Sequence, residues 1–107
     1  MANWYNQKVK NLFAAVLKLK TPDEARRFFR DLLTEQEILE FANRWQAAQL
    51  LDRGVPYSTI SAKTGLSSTT IARISRWLYR GLNGYQLMLK RLNLHHRNSA
   101  SFEKGLR

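Results

Sequence analysis

Hydrophobic residues along the chain recur at every third or fourth position, which is the repeat of an amphipathic α-helix. β-Branched residues do not alternate with polar residues anywhere, and the only two prolines are Pro22 and Pro56. The pattern therefore predicts an all-α fold. A first helix is expected to end near Lys18. Its apolar stripe consists of Trp4, Val9, Leu12, Phe13, Val16 and Leu17.

Capping signals mark the next two helix starts. Thr21-Pro22-Asp23-Glu24 combines a threonine cap, a proline at the first helical position and a capping-box glutamate. Thr34-Glu35-Gln36-Glu37 repeats the threonine and glutamate spacing. The third helix should stop at Arg53-Gly54, because glycine can take the left-handed conformation. The predicted inward residues are Ala25, Phe28, Phe29 and Leu32 in the second helix, and Ile38, Phe41, Ala42, Trp45, Ala48 and Leu51 in the third.

Residues 57–80 have the pattern of a helix-turn-helix, a motif whose second helix lies in the major groove of DNA. A short helix ends at Gly65, which can supply a turn position with positive φ. Ser67 then caps a helix that reaches about Arg80. The residues expected where the two helices touch are the apolar Ile60, Leu66, Ile71, Ile74 and Leu78 and the small Ser61 and Ala62.

The end of the chain completes the predicted architecture. A loop over residues 81–84 leads to a last helix over residues 85–94. About six helices then form one domain, residues 1–95. Residues 96–107 show no periodicity and are predicted to be a mobile basic tail.

The outward face of the second motif helix carries hydroxyl and basic residues. Short hydroxyls can bond to bases or phosphates, Ala72 can meet a thymine methyl, and arginine can grip guanine. Lys63 and Arg53 flank this face and suit phosphates better. The predicted DNA-binding residues are Lys63, Ser67, Ser68, Thr69, Thr70, Ala72, Arg73 and Arg76. The alternative is an ordinary capped helix start with solvated arginines, which the preceding helix and the lack of acids from Arg53 to Glu103 oppose.

The net charge of +10 is unevenly distributed. Residues 1–20 hold four lysines and no acid, whereas residues 21–53 hold five arginines and seven acids. Residues 54–107 hold nine basic residues and a single acid, Glu103. This asymmetry predicts a polyanion bound on one side of the molecule, and charge alone would allow DNA, RNA or anionic lipid.

Length and composition exclude several classes of protein. A chain of 107 residues with 44% hydrophobic residues is expected to fold as one small domain. No apolar run approaches the roughly 18 residues of a membrane span, and the N-terminus lacks the apolar core of a signal peptide. The absence of cysteine excludes disulfides and thiolate metal sites. We therefore expect a cytoplasmic protein.

No residues form the pattern of an active site. His95 and His96 are adjacent, have no acidic partner and are expected to be solvated. No HExxH motif, glycine-rich phosphate loop or nucleophile elbow occurs. The sequence predicts neither an enzyme nor a metal site.

Two other binding roles compete with sequence-specific DNA recognition. A nonspecific architectural protein or an RNA-binding protein would stack unpaired bases on aromatic residues among basic ones. Tyr79 and Tyr85 lie near Arg80 and Lys90, but they also suit packing of the last helix. A membrane-surface role for the first helix is not expected, because its apolar stripe is needed for packing.

The run LTEQEILEFANRWQAAQLLDRGVPYSTISAKTGLSSTTIARISR resembles the tryptophan repressor superfamily, especially its small bacterial relatives described only as repressor-like. LKTPDEARRFFRDLLTEQEI before it and GLNGYQLMLKRL after it extend the resemblance to about residues 8–94. The resemblance implies an all-helical, intertwined homodimer that presents two helix-turn-helix units to double-stranded DNA. It also implies a transcriptional regulator, here expected to be a repressor, associated with the bacterial nucleoid.

The aromatic content also supports dimerisation. The first three predicted helices contain a large aromatic load for one thin chain to cover. These aromatic residues are Trp4, Phe13, Phe28, Phe29, Phe41 and Trp45. Twofold pairing would bury them and place two recognition helices about one DNA turn apart. A compact monomer is the alternative.

The resemblance also implies positions for an effector pocket. Thr34, Arg44 and Arg73 match polar groups that hold tryptophan in the repressor, whereas Trp77 replaces a small serine near the ligand. The Trp77 side chain could fill the space of a free indole. Thr34 as a cap, Arg44 paired with Glu40 or Asp52, and Arg73 on phosphate need no ligand. We expect no cofactor, and neither tryptophan nor another small effector is expected to bind.

Overall fold

The computed structural model describes residues 3–93, and within this range the chain forms helices and no strand. The helices are α1 (Gln7–Val16), α2 (Pro22–Leu32), α3 (Glu35–Asp52), α4 (Tyr57–Thr64), α5 (Ser68–Arg80) and α6 (84–93). The all-α prediction is confirmed. None of the helices in the described range is long and apolar enough to cross a membrane. The predicted tail and the two histidines lie outside the described residues.

The second and third helices begin at their predicted caps. Thr21 Oγ1 accepts a hydrogen bond from the Glu24 N–H at 3.1 Å, and the Glu24 carboxylate accepts one from the Lys20 N–H at 2.9 Å. Thr34 and Glu37 form the reciprocal capping box, with bonds of 3.1 and 2.9 Å. Both predicted starts are confirmed, although Glu24 bonds to Lys20 and not to the backbone of the capping threonine.

The first helix is shorter than its apolar pattern suggested. The Asn6 side chain accepts a hydrogen bond from the Val9 N–H at 3.0 Å and so caps α1. Trp4 therefore precedes the helix instead of belonging to it. Leu17 is the C-cap, one residue before the predicted end.

The described chain divides between Leu39 and Glu40 into two compact units, which we call the N-terminal and C-terminal units. In the N-terminal unit neither α1 nor α2 contains a buried residue. Trp4 is 57% exposed and Phe13 is 44% exposed. Among the described residues, the apolar stripes predicted for these two helices are therefore at most half-buried.

The C-terminal unit has a continuous apolar core. Its buried members are Ala47, Ala48, Leu50, Leu51, Ile60, Ile71, Ile74, Leu78 and Leu89. Trp45 and Tyr85 pack against this core and stack on each other with ring centroids 6.2 Å apart. Only the last part of α3, from Ala47 onward, is buried in it.

This core corrects the predicted stripe of α3. Ala48 and Leu51 are buried as predicted, but Phe41 is 50% exposed and Ala42 is exposed as well. Ala47 and Leu50 are buried in addition. The buried face of a helix depends on the helices that pack beside it, which its own periodicity does not specify.

Candidate nucleic-acid interface

The turn between α4 and α5 spans Gly65, Leu66 and Ser67. Gly65 has φ +74°, a conformation that L side chains rarely adopt, and its N–H donates to the Ser61 carbonyl at 2.8 Å. Ser67 Oγ accepts a hydrogen bond from the Thr70 N–H at 3.1 Å and so caps α5. The predicted helix end at Gly65 and the predicted cap at Ser67 are both confirmed.

Apolar side chains hold the body of α5 in place. α4 and α5 pack directly on each other, and Ile60, Ile71, Ile74 and Leu78 are almost completely buried. Burying side chains of this size contributes about 1.5–3 kcal/mol each. The apolar residues predicted to join the two helices do so, with Leu66 half-buried against the same core. Ser61 is half-buried, but Ala62 is exposed, so its predicted place in the contact was wrong.

The opposite face of α5 is open to solvent. Because its core residues fix the rotation of the helix, this face carries the predicted DNA-binding side chains. The exposed ones are Lys63, Ser67, Ser68, Thr69, Ala72, Arg73 and Arg76, and Thr70 is half-buried. Apart from Lys63 on α4, these residues belong to the cap and body of one helix and can meet one partner surface.

The four consecutive hydroxyl residues fall into two pairs. Ser67 Oγ donates to Thr70 Oγ1 at 3.1 Å, in addition to accepting from the Thr70 N–H. Ser67 and Thr70 are thus engaged in capping the helix. The hydroxyls of Ser68 and Thr69 have no hydrogen-bond partner among residues 3–93 and face solvent.

The positive charges of this face have no acidic partners within the described range. Lys63, Arg73 and Arg76 form no salt bridge there, and no acid occurs between Asp52 and Glu103. The ion pairs found are Arg26–Asp23, Arg27–Asp23, Arg30–Glu35 and Arg44–Glu40. Uncompensated positive charge beside exposed hydroxyls forms a surface suited to a phosphate backbone.

The four residues predicted for an effector pocket have other structural roles or are exposed to solvent. Thr34 caps α3. Its backbone N–H, which has the larger effect, and its side chain both lower the pKa of the Glu37 carboxyl by hydrogen bonding. Arg73 is exposed, and Trp77 is 45% exposed on the same helix.

Arg44 has the most complex surroundings of these residues. Its guanidinium lies 3.7 Å from the Glu40 carboxylate, the helical ion pair anticipated from the sequence. Its Nε is buried without a hydrogen-bond partner among the described residues. Burial raises the pKa of the nearby Tyr85 phenol, and the positive charge of Arg44 opposes that rise.

A cavity of about 620 Å³ opens elsewhere, among the ends of α3 and α5 and the helix α6. Asp52, Leu78 and Lys90 are among its lining residues, and none of the four candidate effector residues is. Within residues 3–93 no three His, Asp or Glu side chains are close enough together to hold a metal ion.

Sequence reasoning missed the roles of two hydroxyls in the turn. Ser61 was noted only for its small size, yet its Oγ donates to the Leu66 carbonyl at 2.8 Å. Thr64 is 7% exposed, and its Oγ1 accepts from the Leu66 N–H at 3.2 Å. A threonine directly before a left-handed glycine is a signal for such local bonding, because Ser and Thr side chains bond readily to nearby backbone.

The fold and this face define the class of protein, a small all-helical protein with a basic helix presented on an α4–turn–α5 unit. The sequence pattern of the Trp repressor protein family matches residues 7–93. The chain therefore belongs to the Trp repressor family, whose members are DNA-binding transcription regulators that typically dimerise.

Individual relatives agree with this assignment. The uncharacterized protein YerC of Bacillus subtilis (strain 168) is 37% identical over 95 residues, which cover 89% of this chain and 91% of YerC. A TrpR-like protein from Eubacterium eligens is 42% identical and superposes with a TM-score of 0.79 over 83% of this chain and 92% of its own. A proposed Trp repressor from Staphylococcus aureus is 36% identical, with a TM-score of 0.77 over 82% and 88%.

Proposed function

We propose that the protein is a homodimeric, sequence-specific DNA-binding repressor of transcription that reads the major groove with α5. The observation that carries the proposal is the exposed face of α5, where hydroxyls and uncompensated arginines lie opposite a fully buried apolar seam. A rigid seam positions the helix, and the exposed side chains remain available for base edges and phosphates.

Each side chain then has a chemical role. The free hydroxyls of Ser68 and Thr69 meet base edges at the start of the helix, and Ala72 contacts a thymine methyl. Arg73 and Arg76 supply charge-assisted hydrogen bonds to DNA, with phosphate the expected partner of Arg73. Bound to a promoter on the bacterial nucleoid, in the cytoplasm, the protein would occlude transcription.

Dimerisation is supported by the apolar surface of the N-terminal unit. Within residues 3–93 no side chain of α1 or α2 is more than half-buried, although the sequences of both helices are amphipathic. A helix with an exposed apolar stripe is stabilised when that stripe packs against a partner. A second copy supplies such a partner, and twofold symmetry presents two copies of α5 about one DNA turn apart.

We also propose that DNA binding does not require tryptophan. Thr34 already caps α3, Arg44 already pairs with Glu40, and Arg73 is exposed on the proposed DNA face. The family resemblance places Trp77 beside the expected position of the ligand, where its indole could fill the space of a free tryptophan.

One observation favours a second candidate function, nonspecific binding of DNA or RNA. Tyr79 is 61% exposed next to Arg80, which is an arrangement that can stack an unpaired base. Tyr85, the other tyrosine considered for this role, is stacked on Trp45 and is less available.

Selection of bound fragments from random duplex DNA tests the proposed function. We expect a short sequence with twofold symmetry to be enriched, and unlabelled single-stranded RNA to compete poorly with it. Failure to enrich any sequence, together with effective competition by RNA, would replace the repressor with the nonspecific binder.

A further inference from the structure

Both backbone polar groups of Leu66 are held by side chains of α4. The Leu66 N–H donates to Thr64 Oγ1 at 3.2 Å, and the Leu66 carbonyl accepts from Ser61 Oγ at 2.8 Å. Thr64 Oγ1 in turn donates to the Ile60 carbonyl at 2.7 Å. Thr64 is the buried polar residue of the core region, and its hydroxyl has both a donor and an acceptor partner. Leu66 is therefore tied to α4 on both sides of its peptide backbone.

Leu66 connects the end of α4 to the residue that caps α5. Gly65 before it has a left-handed backbone and lies beside open space, so its N–H bond to the Ser61 carbonyl holds it and no side-chain packing does. Ser67 after it caps α5. A restraint on the Leu66 backbone therefore also restrains the position at which α5 begins.

The apolar seam and the two hydroxyls restrain α5 in different ways. Apolar burial is non-directional, so the seam holds the body of the helix against the core but does not by itself set the geometry of the residues before Ile71. Hydrogen bonds depend on distance and angle and therefore restrain the helix start in a defined geometry. Ser68 and Thr69, the free hydroxyls closest to that start, are the side chains whose placement depends on it most.

We propose that Ser61 and Thr64 are positioning residues for sequence discrimination. They touch no DNA in this scheme and act through Leu66 by fixing the start of α5. The inference rests on the proposed sequence-specific function. Base readout tolerates little displacement, whereas attraction between Arg73 or Arg76 and phosphates varies slowly with distance. Loss of either hydroxyl therefore weakens binding to the preferred site and leaves binding to unrelated DNA unchanged.

The test compares the full-length wild type with Thr64→Val, which keeps the shape but removes the hydroxyl, and Thr64→Ser, which keeps the hydroxyl. Affinity is measured for the selected sequence and for an unrelated duplex over a range of salt concentrations. Thr64→Val removes two hydrogen bonds per protomer, to the Ile60 carbonyl and from the Leu66 N–H, and should therefore lower the specific-to-nonspecific ratio by at least about fivefold. The salt slope should not change, and Thr64→Ser should retain most of the ratio.

Ser61→Ala provides an independent measurement if Thr64→Val does not fold, as judged by circular dichroism. It should also lower the ratio at an unchanged salt slope. A wild-type ratio in folded Thr64→Val, or in Ser61→Ala when the valine variant is unfolded, would overturn the inference while the proposed function stands. If the wild-type protein selects no sequence at all, the proposed function fails and the positioning role fails with it.

Discussion

Replacing Arg73 or Arg76 with alanine removes a positive charge that is exposed on α5 and has no acidic partner among residues 3–93. No intramolecular ion pair is lost, so the folded chain should keep its stability. The effect should appear in DNA binding alone. In a dimer each substitution removes two contacts.

The size of the effect follows from these two contacts. A lost arginine contact with DNA costs about 1–3 kcal/mol, and the solvent exposure of Arg73 and Arg76 places their contacts near the lower limit. One substitution, which removes two contacts per dimer, should therefore weaken binding by about 2 kcal/mol, or about 30-fold. Each phosphate contact contributes about 0.9 to the slope of log affinity against log salt, so the slope should become about 1.8 less steep.

Fluorescence anisotropy of a labelled duplex at several salt concentrations measures both quantities. Arg26→Ala is the matched control, because Arg26 is exposed on α2 and pairs with Asp23 at 2.6 Å. It should alter neither the affinity nor the slope. Wild-type affinity and slope in both Arg73→Ala and Arg76→Ala would refute the assignment of this face to DNA.

Three further predictions concern stability, assembly and effector. Gly65→Val should lower the melting temperature, since the left-handed backbone at φ +74° costs a β-branched residue about 1–2 kcal/mol. The control Gly84→Ala, whose added Cβ would meet open space, should change the melting temperature little. Equal melting temperatures for the two variants would contradict the role of Gly65. Phe13→Asp should yield monomers in sedimentation velocity, because it places a charge in the proposed interface; a dimer of unchanged stability would argue against α1 as part of it. Free tryptophan should not raise the melting temperature, and a dose-dependent rise would show that the protein binds it.

Local features of the fold were predictable because their causes lie within a few residues. The Thr34–Glu37 capping box and the Ser67 cap each involve groups three residues apart. The left-handed turn at Gly65 follows from the properties of one residue. The bounds of α4 and the start of α5 therefore agree with the sequence prediction.

Features that depend on neighbouring helices were not predictable in the same way. Phe41 and Ala47 both fit an apolar helix, and only the helices packed beside α3 decide that Ala47 is buried and Phe41 is not. The hydrogen bonds from Ser61 and Thr64 to Leu66 depend on the path of the backbone through the turn. For the candidate site, the sequence specified which side chains point outward but not how they are held.

The four consecutive hydroxyl residues at the start of α5 differ in their structural roles, and this difference affects how the protein can evolve. Ser67 and Thr70 bond to each other, so replacing them disturbs the helix itself. The Ser68 and Thr69 hydroxyls make no such hydrogen bonds within the described chain, and these two residues can be exchanged at little cost in stability. Under the proposed function, two adjacent codons thus offer a route by which duplicated copies of one gene acquire different target sites while the folded framework is retained.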